Sequence, residues 1–157
     1  MNINDTIVSQ STPKGVGPTA VIRVSGKNSI DIVNKIFPSK DLNKVDSHTL
    51  HFGSIIYDKV IIDEVVISIF KEPRSYTKEN IVEISCHGSE IIIKKIILSL
   101  IDLGARTAEK GEFTFRSFIN GNIDLSQAEA VSDLISGKSE NAHKIAINHL
   151  KGVFSEK

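Results

Sequence analysis

Two charged side chains stand where apolar ones are expected. Arg23 lies within residues 19–25, TAVIRVS, where Ala20, Ile22 and Val24 alternate with Val21, Arg23 and Ser25. That period-two pattern predicts a strand with a charge in its middle. Glu83 lies within residues 81–86, IVEISC, a short apolar strand. A carboxylate offers only acceptors, and it can take a paired set of N–H donors from an amide or guanidine-like edge. An arginine near it can hold a carboxylate or carbonyl of the same ligand. The residue types leave three arrangements open. Both side chains can point to solvent, both can face a cleft, or neighbouring strands can bring them together as an ion pair.

Other candidates are weaker. Cys86 and His87 are adjacent, so on a strand they point apart, and Cys86 reads as a small core residue rather than a nucleophile. His48 and His51 are three apart, which places them on opposite faces and argues against a shared metal. His143 and His149 read as surface residues of a terminal helix. Gly15-Val16-Gly17 has no third glycine and leads into a strand rather than a helix, so it reads as a turn and not a phosphate loop. GxxxxGK[ST] occurs nowhere. Tyr76 and the seven phenylalanines are not interleaved with basic clusters, so no RNA-stacking platform is evident. No catalytic and no metal-ligating residue is assigned.

A short strand is expected at 6–8, and a loop with two prolines and two glycines leads to the strand at 19–25. A helix capped by Asn28 or Ser29 places Ile30, Val33 and Phe37 on one face and stops at Pro38. Residues 39–47 read as irregular. Residues 51–57 and 60–70 predict a hairpin about Asp58-Lys59, a turn that lacks the favoured glycine. After the strand at 81–86, His87-Gly88 predicts a turn, and a mostly apolar helix covers 89–103 and ends at Gly104. A strand is expected at 105–108, so strand, helix and strand suggest a parallel crossover. A short helix is expected at 113–119, with a turn at Asn120-Gly121-Asn122. From Asp124 the pattern changes. Asp124-x-x-Gln127 and Ser126-x-x-Glu129 are capping-box signals. Leu125, Ala128, Val131, Leu134 and Ile135 then keep a helical period to Gly137. Ser139 caps a further helix with Ala142, Ile145, Ala146, Leu150 and Val153 on its face. Such stripes need a partner, so a helical unit is expected to begin here and to be completed by further residues or another chain.

Composition bounds the rest. The 157 residues suit one domain plus a smaller unit. At 40% hydrophobic and 24% charged the chain is globular. Lys+Arg and Asp+Glu both number 19, so no nucleic-acid surface rests on bulk charge. The single cysteine forms no intrachain disulfide, which fits a reducing, cytoplasmic setting. No secretory signal pattern and no apolar run of membrane-spanning length is seen.

Three stretches carry a resemblance. DTIVSQSTPKGVGPTAVIRVSG, SYTKENIVEISCHGS and GEFTFRSFINGNIDLSQAEAVSDLI resemble, in order, the N-terminal region of the MnmE (TrmE) tRNA-modification GTPases. The resemblance implies an α+β fold, a mixed sheet with packed helices similar to the folate-binding domain of glycine-cleavage aminomethyltransferase, followed by an α-helical segment. It implies a folate-binding and dimerisation domain at 1–122 and the first helices of a helical domain at 123–157. The remainder of that helical domain, and the GTPase domain inserted in it, would lie outside this chain. It also implies binding of 5-formyltetrahydrofolate, a homodimer, and a role with MnmG (GidA) in carbon-5 modification of the tRNA wobble uridine, tRNA being engaged indirectly and no membrane involved. GTP, Mg2+ and K+ would belong to the full-length family protein and not to this chain.

Arg23 and Glu83 fall on the family's folate-contacting arginine and glutamate, and Asn122 falls on a folate-contacting position where the family usually has a basic residue. Lys78 replaces a usual glycine, and Pro18 a usual small residue. The alternatives are a free-standing folate-dependent one-carbon module and a dimerisation scaffold without folate.

Overall fold

The computed structural model describes residues 3–137 and 139–151. Residues up to Lys110 form one unit and those from Gly111 a second.

In the first unit, six strands among the described residues form one mixed sheet. These are β1 (Ile7–Gln10), β2 (Gly17–Ser25), β3 (Thr49–Tyr57), β4 (Val60–Phe70), β5 (Ile81–Gly88) and β6 (Arg106–Thr107). Their order is β3-β4-β5-β2-β1-β6. β6 pairs parallel to β1, and the other neighbours are antiparallel. The helices α1 (Ser29–Asn34) and α2 (Glu90–Asp102) and a single 3-10 turn at Leu42–Lys44, within the stretch expected to be irregular and capped by the Asp41 side chain, complete the unit. The crossover expected from β5 through α2 to β6 is present, and it passes over β2 and β1.

Alternation, read from the sequence for residues 19–25, decides what each central strand buries. Ala20, Ile22 and Val24 of β2, Val82, Ile84 and Cys86 of β5, and Val65, Ile67 and Ile69 of β4 are all at most 3% exposed. They share one core with Ile30 and Val33 of α1, Phe37 beyond it, and Ile93, Ile96 and Leu100 of α2. Each aliphatic side chain fully buried in this way contributes about 1.5–3 kcal/mol. The intervening residues of the same strands make a mixed face, in which Arg23, Glu83, Ser68 and Ser85 are partly buried among Val21, Val66 and Phe70.

His87-Gly88 is not a turn. β5 runs through Gly88, which pairs with Gly17. A Cβ at Gly88 would lie 2.4 Å from the Gly17 carbonyl oxygen. The glycine is there because two backbones approach closely, a use that looks like turn punctuation in the sequence.

In the second unit α3 (Glu112–Ile119), α4 (Leu125–Ser136) and α5 (Glu140–Leu150) follow in order. Asp124 and Gln127 complete the reciprocal capping box at the start of α4, and the Ser139 side chain caps α5. Gln127 Nε2 also donates to the Leu150 carbonyl, 2.8 Å away. Ala130 and Ala146 are the buried residues of α4 and α5. Leu125, Ile135 and Ile145 of the expected stripes are exposed. Val153 lies outside the described residues.

The hairpin turn yields a stability prediction. Asp58 and Lys59 both have positive φ, 50° and 65°. That is the primed turn that suits strand twist and that normally recruits glycine. Lys59→Gly should raise stability by about 0.5–1 kcal/mol, the left-handed penalty less the entropy glycine costs. Thermal unfolding should show a rise in Tm of about 1–4 °C. An unchanged or lower Tm would show that the turn stores no strain.

Candidate functional site

Antiparallel register places Arg23 of β2 directly opposite Glu83 of β5. The same row continues to Ser9 on β1 and Ser68 on β4. Arg23 Nε donates to Glu83 Oε1 at 2.8 Å, and Nη2 approaches the same oxygen at 2.8 Å. Both contacts fall on Oε1. Among the described residues no hydrogen bond reaches Glu83 Oε2, so one face of the carboxylate keeps its acceptor capacity. The side chains are 26% and 23% exposed. Of the three arrangements the residue types allowed, the ion pair is the one formed, and it is reachable from solvent.

The loop between β4 and β5 closes on this pair. Tyr76 lies under the Arg23 guanidinium, with 5.5 Å from Cζ to the ring centroid. Next to it, Thr77 is fully buried. Its Oγ1 lies 2.7 Å from Ser25 Oγ, and Ser25 Oγ donates to Glu79 Oε2 at 2.7 Å. Glu79 N–H donates in turn to Thr77 Oγ1 at 3.3 Å. A carboxylate only accepts and an amide N–H only donates, so the direction of every bond is determined. The chain runs from Glu79 N–H to Thr77, from Thr77 O–H to Ser25, and from Ser25 O–H back to the Glu79 carboxylate. Such closed chains polarise and strengthen one another in a low-dielectric setting. Asn80 adds further ties. Its carbonyl accepts from Gly26 N–H (3.0 Å) and Ser29 Oγ (2.8 Å), and its Oδ1 accepts from Glu72 N–H (3.0 Å).

Ser25, Thr77 and Glu79 were not singled out by sequence reasoning. Their types are ordinary for a strand end and a loop, and the signal lies in contacts 52 and 54 residues apart. Lys78, between them, has φ 57°. That is the left-handed region glycine favours, which accounts for the glycine the family resemblance places here.

Asn122 belongs to the second unit. It is exposed, and its Nδ2 donates to Ser117 Oγ at 3.2 Å while its amide donates to the Ser117 carbonyl. In the same unit Glu112 and Arg116, one helical turn apart on α3, form a fully buried ion pair at 3.2 Å. The i,i+4 spacing was legible in the sequence, but its burial was not.

The remaining candidates separate as their spacing implied. Cys86 is 3% exposed on the core face. His87 lies on the opposite face, 69% exposed, with Nδ1 2.8 Å from Asp63 Oδ1. His48 packs edge-on against Phe70, whereas His51 bonds Thr49 Oγ1. Among the described residues no cluster of three or more His, Cys, Asp or Glu could hold a metal ion. No helix among them is long and apolar enough to cross a membrane. A cavity of about 630 Å3 lies away from the Arg23–Glu83 pair, between the β3–β4 turn and α2, with Tyr57, Val60, Leu98 and Ile101 in its walls. There the Tyr57 hydroxyl donates to the Asp102 carboxylate, which pushes the phenol up to about 12.

The family described as GTP-binding protein TrmE N-terminus matches residues 6–122. The chain is 50% identical over 155 residues to the tRNA modification GTPase MnmE of Cytophaga hutchinsonii, covering 99% of this chain and 34% of that protein. It is 53% identical over 158 residues to the protein of that name from Flavobacterium psychrophilum, covering 99% and 34%. Against that of Bacillus thuringiensis it is 49% identical over 154 residues, covering 97% and 34%. The chain thus spans about a third of the length of the curated relatives it matches.

The dry side of β5 supplies a test. Burial, aided by the Asp63 charge, pushes the Cys86 thiol up to about 11. At pH 8 roughly one thiol in a thousand would then be thiolate, the reactive form. Native protein should resist iodoacetamide at pH 8 and react fully once unfolded. Rapid native alkylation would contradict the placement of Cys86 in the core.

Proposed function

Because the chain belongs to the MnmE (TrmE) family and corresponds to its N-terminal region, we propose that the Arg23–Glu83 face is a binding edge for a reduced folate, 5-formyltetrahydrofolate. One observation carries the reading. A partly exposed carboxylate in the middle of a sheet has one oxygen held by Arg23 and the other open. The pterin ring presents adjacent N–H donors, which suit a carboxylate, and the guanidinium beside it suits a carbonyl or carboxylate of the same molecule. In the whole protein this site would supply a one-carbon unit for carbon-5, carboxymethylaminomethyl-type modification of the tRNA wobble uridine. MnmG (GidA) would be the partner, and a K+- and Mg2+-dependent GTPase domain would lie beyond this chain. The unit would act as a homodimer. Leu50 and Phe52, 70% and 69% exposed on the edge strand β3, are an apolar surface that supports a second copy.

Asn122 is included in the site because the resemblance places it there. An exposed asparagine can give the folate's glutamate tail only neutral hydrogen bonds, whereas a lysine would add charge.

Two measurements test this reading. Calorimetric titration should show 5-formyltetrahydrofolate binding, and Glu83→Gln should weaken it. Losing a charge-assisted hydrogen bond costs roughly 1.5–3 kcal/mol, or about ten- to a hundredfold in affinity. The fold should survive, since the amide keeps the shape of the side chain and its oxygen can still accept from Arg23. Unchanged affinity would make Glu83 an ordinary surface charge. Asn122→Lys should strengthen binding by at most about fivefold, an effect that shrinks as salt rises. No gain, or a gain insensitive to salt, would remove residue 122 from the site.

A further inference from the structure

We propose that Tyr76 is the third recognition element of the Arg23–Glu83 site, a stacking surface for the flat ring of the ligand, and that the hydrogen-bonded ring of Ser25, Thr77 and Glu79 sets it in place. This rests on the folate reading and extends it to a residue and a loop which that reading does not use.

The guanidinium of Arg23 shows what the site recognises. It is a planar group with adjacent N–H donors. It lies 2.8 Å from the Glu83 carboxylate, and its central carbon lies 5.5 Å from the centre of the Tyr76 ring. A carboxylate and an aromatic face therefore already converge on one planar, N–H-bearing group. The amino-pyrimidine end of a pterin is a group of the same kind. Its N–H edge matches the open Oε2 of the carboxylate, beside Arg23 and not in its place, and its face matches an aromatic ring, because offset aromatic stacking adds to what area burial alone supplies.

Tyr76 sits in a loop and is only partly buried, and the loop on its C-terminal side is tied down. Its chain neighbour Thr77 is fully buried and takes part in two of the three bonds of the ring. Ser25, also fully buried, ties that ring to β2, two residues from Arg23. The loop is thereby fixed to the strand that carries the arginine. Thr77 and Ser25 are positioning residues: they act on the ligand through Tyr76.

The test is titration of the whole chain, by calorimetry, with 5-formyltetrahydrofolate and with a pterin lacking the glutamate tail. Tyr76→Ala should weaken both by about three- to tenfold, and Tyr76→Phe should bind both within about twofold of the unsubstituted chain. Thr77→Val, which keeps the shape and removes the hydroxyl, should weaken both to a similar extent, and Thr77→Ser should restore them. If Thr77→Val does not fold, Ser25→Ala carries the same expectation. Tyr76→Ala with unchanged affinity, or Tyr76→Phe as weak as Tyr76→Ala, overturns the stacking role. Folded Thr77→Val or Ser25→Ala with unchanged affinity overturns the positioning role. An unsubstituted chain that binds neither compound overturns the folate reading itself, and the proposal with it.

Discussion

A carboxylate among isoleucines and valines in the centre of a sheet is tolerated only when something answers its charge, and here Arg23 does so from the next strand. The register of β2 against β5 is therefore the constraint on which the rest depends. A slip of one residue would turn Ile22 and Val24 away from the core and send Arg23 into it. The apolar face and the polar face hold each other in register. Burial of alternate aliphatics fixes the strands, and the strands deliver Arg23 opposite Glu83.

The pair cancels in charge but leaves acceptor capacity unfilled on the carboxylate, which is what gives it chemical capacity. Both guanidinium contacts use Oε1, and both side chains are about a quarter exposed. A fully buried pair such as Glu112–Arg116 on α3 has no exposed surface to offer a ligand. The difference follows from where each pair sits. Arg23 and Glu83 occupy the partly exposed face of a sheet whose opposite face is sealed by α1 and α2.

Local pattern made much of this legible. Alternation located β2, a strand-like run located β4, the apolar run located α2, and the Asp124–Gln127 capping box located the start of α4. The two charges stood out because they broke an apolar pattern. What stayed hidden was non-local or depended on backbone geometry. Residue types left it open whether Arg23 and Glu83 meet, because strand pairing 60 residues apart decides it. The ring of Ser25, Thr77 and Glu79 joins residues that are unremarkable alone. Gly88 looks like a turn residue until Gly17 is seen against it. Asp58-Lys59 lacks the glycine of a hairpin turn, yet the flanking strands force both residues to positive φ. Asn122 entered through family resemblance, and its neighbours in the second unit are its own helix-end partners.

A ligand on the β2–β5 face beside the 73–80 loop would be seen by amide and arginine-side-chain NMR of the labelled chain during titration with 5-formyltetrahydrofolate. The Arg23 Nε–H signal, the amides of residues 21–25 and 82–85, and those of Tyr76 to Asn80 should shift together along one saturating curve. Shifts confined to the residues around the Tyr57–Asp102 cavity, or saturation that leaves Arg23 and Tyr76 unmoved, would contradict that placement.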